Sequence, residues 1–284
     1  MRSATDQKYY QHLSGLPVAS DSVFQYIVAT YEGKDIRISW QLRADSPQIQ
    51  ENKFEIFRND NFGFSEDWIK VGEVINDWTF LDSTIKSQLK QFDNIAYRIR
   101  VYIPDEFNSQ EVRIFPDLSV REKLIFRALL RRRLVTQKTL PRFQGFLFKR
   151  LWKGEKCDCV DSLTGEITNS DCSVCFGTGI KSGYWPIPRP CPLNISTPFS
   201  TAINFDFQNL FLGTVEPQQI QAVVPAIFPI SSFDVWVPQK QFPRFYIIQV
   251  TIDSEFKGVP VSYKLLMRQA SRSDTIYNLE IPES

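Results

Sequence analysis

Cys157-Asp-Cys159 is followed, after twelve intervening residues, by Cys172-Ser-Val-Cys175-Phe-Gly-Thr-Gly179. Two close cysteine pairs separated by a short loop are typical of a site that offers four thiolates to one tetrahedral zinc ion. The loop at residues 161–168 has the composition of a small β-hairpin, which would bring the first pair round to the second. The sequence therefore predicts a structural zinc unit with four ligands: Cys157, Cys159, Cys172 and Cys175.

Two disulfides, or unrelated thiols, are the alternatives to a metal site. The N-terminal residues 1–8 lack the apolar stretch of a secretory signal, and a chain kept in a reducing cytosol retains free thiols, which favours metal. A thioredoxin-like redox role fits poorly because no βαβ pattern surrounds the motif. Cys191 is flanked by prolines, and we interpret it as a bystander and not as a ligand.

The sequence favours a protein without catalytic activity. Catalytic zinc usually keeps an open position for water, whereas four thiolates would close the coordination shell. The single histidine, His12, lies in a polar N-terminal stretch, which leaves Ser-His-Asp and Cys-His catalysis almost without a base. We found no phosphate-binding glycine loop and no cofactor motif.

The bulk composition favours β-structure. The 284 residues include 23 Phe, 10 Tyr and 6 Trp, and prolines outnumber glycines. The 33 basic and 32 acidic residues nearly cancel, so bulk charge predicts neither a nucleic-acid partner nor an acidic membrane surface. No stretch approaches the ~20 apolar residues that cross a bilayer.

Periodicity and composition divide the chain into five parts. Residues 36–42, 54–59, 68–75, 78–82 and 96–102 alternate like short strands, and residues 233–237, 245–250, 261–267 and 275–281 predict a second set. Residues 256–260 predict a turn. The predicted parts are an N-terminal arm (1–21), a β-sandwich (22–107), a basic helix and linker (108–150), the zinc unit (151–186) and a C-terminal β domain (187–284).

The β-sandwich region resembles a fibronectin type III module. The resemblance is carried by Ile38-Ser-Trp40, Phe54-Glu-Ile-Phe-Arg, Phe80-Leu-Asp82 and Tyr97-Arg-Ile-Arg-Val over about 80 residues. It implies that Trp40 lies in the core and that Tyr97 is a corner residue. Such modules act as spacers and interaction surfaces and carry no chemistry of their own.

A helix is predicted over residues 117–137. Ser119 and Glu122 have the spacing of a capping box, and Val120, Leu124, Ala128 and Leu129 are expected to bury one side. From residue 121 to 156 the chain has twelve basic residues against two acidic ones. This strip could face a partner or phosphate, or be a solvated surface, which is the commoner role of clustered charge. Its candidate residues are Arg127, Arg131, Arg132, Arg133, Lys149 and Arg150.

Two further resemblances concern the cysteine segment and the whole chain. Residues 172–179 are similar to the Cys-x-x-Cys-x-Gly-x-Gly knuckle of the DnaJ zinc region, which implies local zinc geometry. The order of arm, sandwich, basic helix, cysteine unit and β domain resembles virion structural proteins of tailed bacteriophages. The most patterned stretch runs from Phe148-Lys-Arg-Leu-Trp-Lys to Trp185-Pro, with Phe233-Asp-Val-Trp and Phe256-Lys-Gly-Val-Pro-Val further on.

The phage resemblance implies a component of the neck, head–tail connector or tail, made in the host cytoplasm and located in the virion. The implied partners are further copies of the chain in a symmetric homo-oligomer and neighbouring portal, neck or tail proteins, with no membrane. Three alternatives stay open. They are a baseplate protein, a host-contacting protein that binds glycans through exposed aromatics such as Trp185, and a zinc module that contacts DNA through the basic strip.

Overall fold

The part of the chain that the structure describes is built mainly from β-strands. The computed structural model describes residues 22–46, 52–60, 67–85, 95–103, 106–115, 117–139, 143–161, 164–196, 219–239 and 243–282. The arm at residues 1–21, with His12, lies outside the described residues. The predicted mainly-β class is confirmed, with antiparallel pairing in every sheet and a cysteine cluster.

The first seven strands form two antiparallel sheets. One has the order β1-β2-β5 and the other has the order β4-β3-β6-β7. The strands are β1 Phe24–Glu32, β2 Asp35–Leu42, β3 Lys53–Asn59, β4 Ile69–Ile75, β5 Thr79–Asp82, β6 Ala96–Ile103 and β7 Glu106–Arg113. This order is compatible with the fibronectin type III resemblance. The seventh strand extends beyond residue 107, where the sequence pattern ended the module.

Alternation along β2 builds the core between these sheets. Ile36, Ile38, Trp40 and Leu42 are all buried, as the two-residue period predicts. The Trp40 ring meets Phe54 of the opposite sheet with centroids 5.0 Å apart. Because aromatic residues bury large areas, this contact contributes to the attraction between the sheets.

A buried carboxylate links β5 to β3 and β6. The Tyr97 hydroxyl donates to Asp82 Oδ2 at 2.8 Å, and the Arg58 guanidinium donates to the same oxygen at 2.9 Å. Burial alone would raise the pKa of Asp82, but hydrogen bonds from Thr84, Arg58 and Tyr97 outweigh it and lower that pKa. Because β5 and β6 belong to different sheets, the hydrogen bond from Tyr97 to Asp82 joins the two sheets.

The helix α1, Val120–Thr139, begins with the predicted capping box. The Ser119 N–H donates to Glu122 Oε2 at 2.8 Å. The predicted buried side is wrong, because Val120, Leu124, Ala128 and Leu129 are exposed. The helix instead buries Phe126 and Leu130. The Phe126 ring packs edge-on against the Phe115 ring, with their centroids 4.7 Å apart. Both sides of the helix are apolar, so periodicity could not choose between them.

The remaining strands form a seven-stranded sheet of order β10-β11-β14-β13-β12-β8-β9. They are β8 Gly145–Phe148, β9 Arg189–Pro190, β10 Asn194–Ser196, β11 Gln219–Pro225, β12 Val235–Pro238, β13 Phe245–Phe256 and β14 Val259–Gln269. The two end strands, β9 and β10, are joined by residues 191–193 alone, and Leu193 bridges to Phe143. The sheet therefore curls until its ends meet around a buried core.

Two predictions for the C-terminal part have different outcomes. The turn at residues 256–260 is confirmed, because Lys257 and Gly258 both have positive φ in the tight β13–β14 hairpin. The strand predicted at residues 275–281 is wrong, because Thr275–Asn278 is a 3-10 helix. The Asp274 side chain accepts a hydrogen bond from the Ile276 N–H and caps this helix.

The two β-regions share one continuous apolar core. Trp78 of the sandwich meets Phe228 of the C-terminal part with ring centroids 5.6 Å apart, and Asp77 pairs with Arg189. The cysteine segment is an insertion between β8 and β9 of the larger sheet. Its two ends are therefore held by adjacent paired strands.

Candidate metal centre

The four predicted cysteines come together in the structure. All four Sγ atoms lie within 4.8 Å of one another, with Cys157 to Cys172 at 3.7 Å and Cys159 to Cys175 at 3.4 Å. A tetrahedral site with metal–sulfur bonds of about 2.3 Å requires sulfur separations of about 3.8 Å. A disulfide requires about 2.0 Å, so the thiols are free and the alternative of two disulfides is excluded by geometry.

The second cysteine pair lies on a tight knuckle. The Phe176 N–H donates to the Cys172 carbonyl at 2.8 Å, and Phe176, Gly177 and Gly179 all have positive φ, which glycine adopts without strain. The turn directs backbone N–H groups at the Cys172 sulfur. Hydrogen bonds from Cys175 and Val174 thereby lower the pKa of the Cys172 thiol to about 7, which favours the thiolate that a metal binds.

The first pair is held by the predicted hairpin. The Thr168 N–H donates to the Cys159 carbonyl at 2.8 Å, and Val160 bridges to Ile167. The Cys157 N–H donates to the Gly179 carbonyl at 3.0 Å, which ties the first pair directly to the knuckle. These backbone bonds place all four sulfurs around one point without help from the distant core.

The donor set is that of a structural site. Cys157 and Cys175 are buried, while Cys159 and Cys172 are partly exposed. Four thiolates complete a tetrahedral shell and leave no position for a substrate or water. In the part of the chain that the structure describes, no other group of three or more Cys, His, Asp or Glu residues has metal-binding geometry.

The Gly183→Ala substitution should weaken the unit. Gly183 has φ +57°, and an added Cβ would lie 2.5 Å from the Cys175 carbonyl oxygen. The left-handed backbone costs about 1–2 kcal/mol for alanine, and overpacking typically adds about 1–3 kcal/mol. Metal affinity, measured by competition with a chelator, should fall at least tenfold, or about 1.4 kcal/mol.

Gly165→Ala is the matched control for this prediction. Gly165 has φ +72° but no atom within 4 Å of its added Cβ, so it bears the backbone cost without the clash. Equal losses of metal affinity in the two variants would contradict the argument that close approach to Cys175 is what requires glycine at position 183.

Cys191 is separate from the cluster, in keeping with its interpretation as a bystander. It is buried in the core of the closed sheet, and burial raises the pKa of its thiol to about 12. Its carbonyl accepts a hydrogen bond from Trp236 Nε1 at 2.8 Å. Its role is therefore packing within the larger sheet.

The unit is fastened to both β-regions. The Leu151 N–H donates to the Gly183 carbonyl and the Trp185 N–H donates to the Lys149 carbonyl, each at 2.9 Å. Trp185 is buried and its ring lies 6.3 Å from that of Phe54 in the sandwich. The expectation that Trp185 is an exposed, glycan-contacting aromatic is therefore wrong.

A buried ion pair next to the unit was missed by the sequence analysis. Lys149 Nζ lies 2.9 Å from Asp234 Oδ2, and both side chains are at most 1% exposed. Lys149 also donates to Ser231 Oγ at 2.8 Å and to the Pro229 carbonyl at 3.2 Å, while Asp234 accepts from the Ser231 and Arg150 N–H groups. Every polar atom of the pair has a partner, as buried charges require.

The predicted basic strip is not continuous. Lys149 is buried and does not belong to it, and Arg150 is half-buried with its guanidinium over Trp152 at 4.4 Å. Arg127 donates to the Gly33 carbonyl, and Arg133 lies 3.8 Å from Asp253. Arg131 and Arg132 are exposed on α1. A phosphate-facing surface is thus reduced to the helix alone.

Comparison of the chain with protein-family profiles gave no match, and no curated protein is significantly similar to it. None of the helices in the described ranges combines the length and apolarity needed to span a bilayer.

Proposed function

We propose that this chain is a non-catalytic structural component of a tailed-phage virion, at the head–tail neck or connector, where it forms part of a ring. The proposal draws on the resemblance carried by residues 148–186, 233–236 and 256–261. Two β-regions with a shared core and a metal-clamped insertion make a rigid protomer, which suits lateral packing around a symmetry axis.

We propose zinc as the ion of the cysteine cluster, in a purely structural role. Thiolate donors select soft or borderline ions, and a four-sulfur tetrahedral set is typical of structural zinc. The ion would be held by Cys157, Cys159, Cys172 and Cys175, and its binding would supply much of the folding free energy of residues 151–186.

One observation carries the assembly proposal. The outer face of α1 exposes the apolar side chains of Leu124, Ile125, Leu129 and Val135, each at least 36% exposed, next to Arg132. An apolar helix face that the monomer leaves uncovered marks an interaction surface. In an assembly, a neighbouring subunit would cover this apolar face, which an isolated protein would leave in contact with water.

The proposal is tested on particles. Electron microscopy and quantitative mass spectrometry of purified virions should find the chain at the head–tail junction in symmetric copy number. Head and tail fractions separated from one another serve as controls, since a junction protein should be enriched only where the junction is retained. Absence from the particle, or a position in the baseplate alone, would contradict a neck or connector role.

A further inference from the structure

The exposed face of α1 combines apolar and positive character. This outer face comprises Leu124, Ile125, Ala128, Leu129, Arg132 and Val135. Over its full length the helix sequence has seven basic residues and one acidic residue, and that acid, Glu122, is paired with Lys257. A partner for this surface must therefore offer apolar contacts with an excess of negative charge.

The metal unit presents such a surface. Residues 157–180 contain four acidic side chains and no lysine or arginine. Asp158, Glu166 and Asp171 are exposed, and Ile167 and Val174 are exposed among them at 40% and 54%. Four thiolates around a divalent ion would add two further negative charges, so metal loading strengthens the complementarity. We call Asp158, Glu166, Ile167, Asp171 and Val174 together the acidic surface.

The outer face and the acidic surface lie at opposite ends of one strand. Arg127 of α1 donates to the carbonyl of Gly33, in the two-residue turn that leads into β2. Lys153, at the base of the metal unit, donates to the carbonyls of Ala44 and Ser46, just beyond the other end of β2. Eight residues of β-strand span about 26 Å. The outer face and the acidic surface are therefore too far apart to bind each other within one chain.

We propose that the outer face of α1 binds the acidic surface of the metal unit of a second copy of the chain. The contact joins two different surfaces, so it is head-to-tail and repeats through every protomer. Such a contact produces a closed ring where the rotation between protomers closes and a filament where it does not. The inference rests on the proposed ring function and names the surfaces that build the ring.

Two charge-reversal variants test this pairing. Arg131→Glu with Arg132→Glu alters only the helix surface, and Glu166→Lys with Asp171→Lys alters only the acidic surface; all four side chains are exposed. Like charges across an interface cost several kcal/mol, so each variant alone should lose about a hundredfold or more in self-association. The readout is sedimentation velocity or native mass spectrometry at 50 and 500 mM salt.

Mixing the two variants gives the decisive result. Each retains the surface that the other has lost, and their two reversed surfaces carry opposite charges, so the mixture should assemble with the two variants alternating. The chain with all four reversals should assemble again, because its charges are exchanged. The control is Lys264→Glu with Arg268→Glu, which reverses exposed charges on β14 and should leave assembly unchanged. Metal content and circular dichroism verify that each variant is folded.

A wild-type chain that stays monomeric, a variant that still assembles, or a mixture that stays monomeric would overturn the pairing. These outcomes are separable from the proposed function. A ring in the particle that is built through other surfaces refutes the pairing alone. Head-to-tail assembly of a chain that is absent from particles refutes the virion role alone.

Discussion

The Cys172→Ser variant should lose its metal ion and unfold residues 151–186. Structural zinc sites contribute about 10–16 kcal/mol of apparent binding free energy, which in a small unit is also folding free energy. Three thiolates and a hydroxyl bind the ion far less tightly. Because the unit has few buried apolar side chains of its own, nothing else in it replaces this contribution.

The measurement is metal content together with hydrogen exchange. Wild-type protein should contain about one zinc per chain under the four-thiolate arrangement, and the variant should contain almost none. Amides of residues 151–186 should exchange quickly in the variant, while the sandwich strands stay protected because they pair with one another. Cys191→Ala is the control, since this cysteine is buried away from the cluster and its loss should leave the metal in place. An unchanged metal content in Cys172→Ser would contradict the assignment of the four cysteines as zinc ligands.

The features that sequence predicted are those set by neighbours along the chain. The cysteine spacing predicted the cluster because short backbone turns determine where these sulfurs meet. The alternation of Ile36, Ile38, Trp40 and Leu42 predicted β2 because one face of a sheet is buried. The capping box predicted the start of α1 for the same local reason.

The features that sequence missed depend on distant partners. Phe126 turns inward because Phe115 offers a ring to pack against, and no periodicity of a helix that is apolar on both sides reveals this. The strands β9 and β10 have two and three residues, too short for any pattern to be read. Their role in closing the larger sheet becomes visible only in the fold, where β9 pairs with β8 and β10 pairs with β11. The 3-10 helix at Thr275 follows from its cap at Asp274, a signal that was present in the sequence.

The pairing of Lys149 with Asp234 joins residues 85 positions apart, so the sequence alone did not predict it. A lysine among Phe148, Arg150 and Leu151 looks like a surface charge at the end of a strand. The fold instead brings the loop before β12 over it and surrounds its ammonium group with three oxygens. Lys149 therefore helps to hold β8, the strand from which the metal unit begins, against the C-terminal part.

The Lys149→Met variant should be strongly destabilised. Removing one partner of a buried ion pair leaves an uncompensated charge and typically costs about 3–5 kcal/mol. Here the Asp234 carboxylate would keep only the N–H groups of Ser231 and Arg150. The free energy of unfolding, measured by urea titration, should fall by that amount. The exposed Lys264→Met is the control and should change stability by no more than about 0.5 kcal/mol.

Combining Lys149→Met with Asp234→Asn separates the charge from the rest of the site. Asparagine keeps an oxygen for the Ser231 and Arg150 N–H groups but carries no charge, so the double variant leaves no unpaired ion behind. It should therefore lose less stability than the two single variants together, by about 1–3 kcal/mol of coupling. Strictly additive losses would mean that Lys149 stabilises the fold by packing over Trp78, whose ring lies 5.8 Å from its ammonium group, and not by pairing with Asp234.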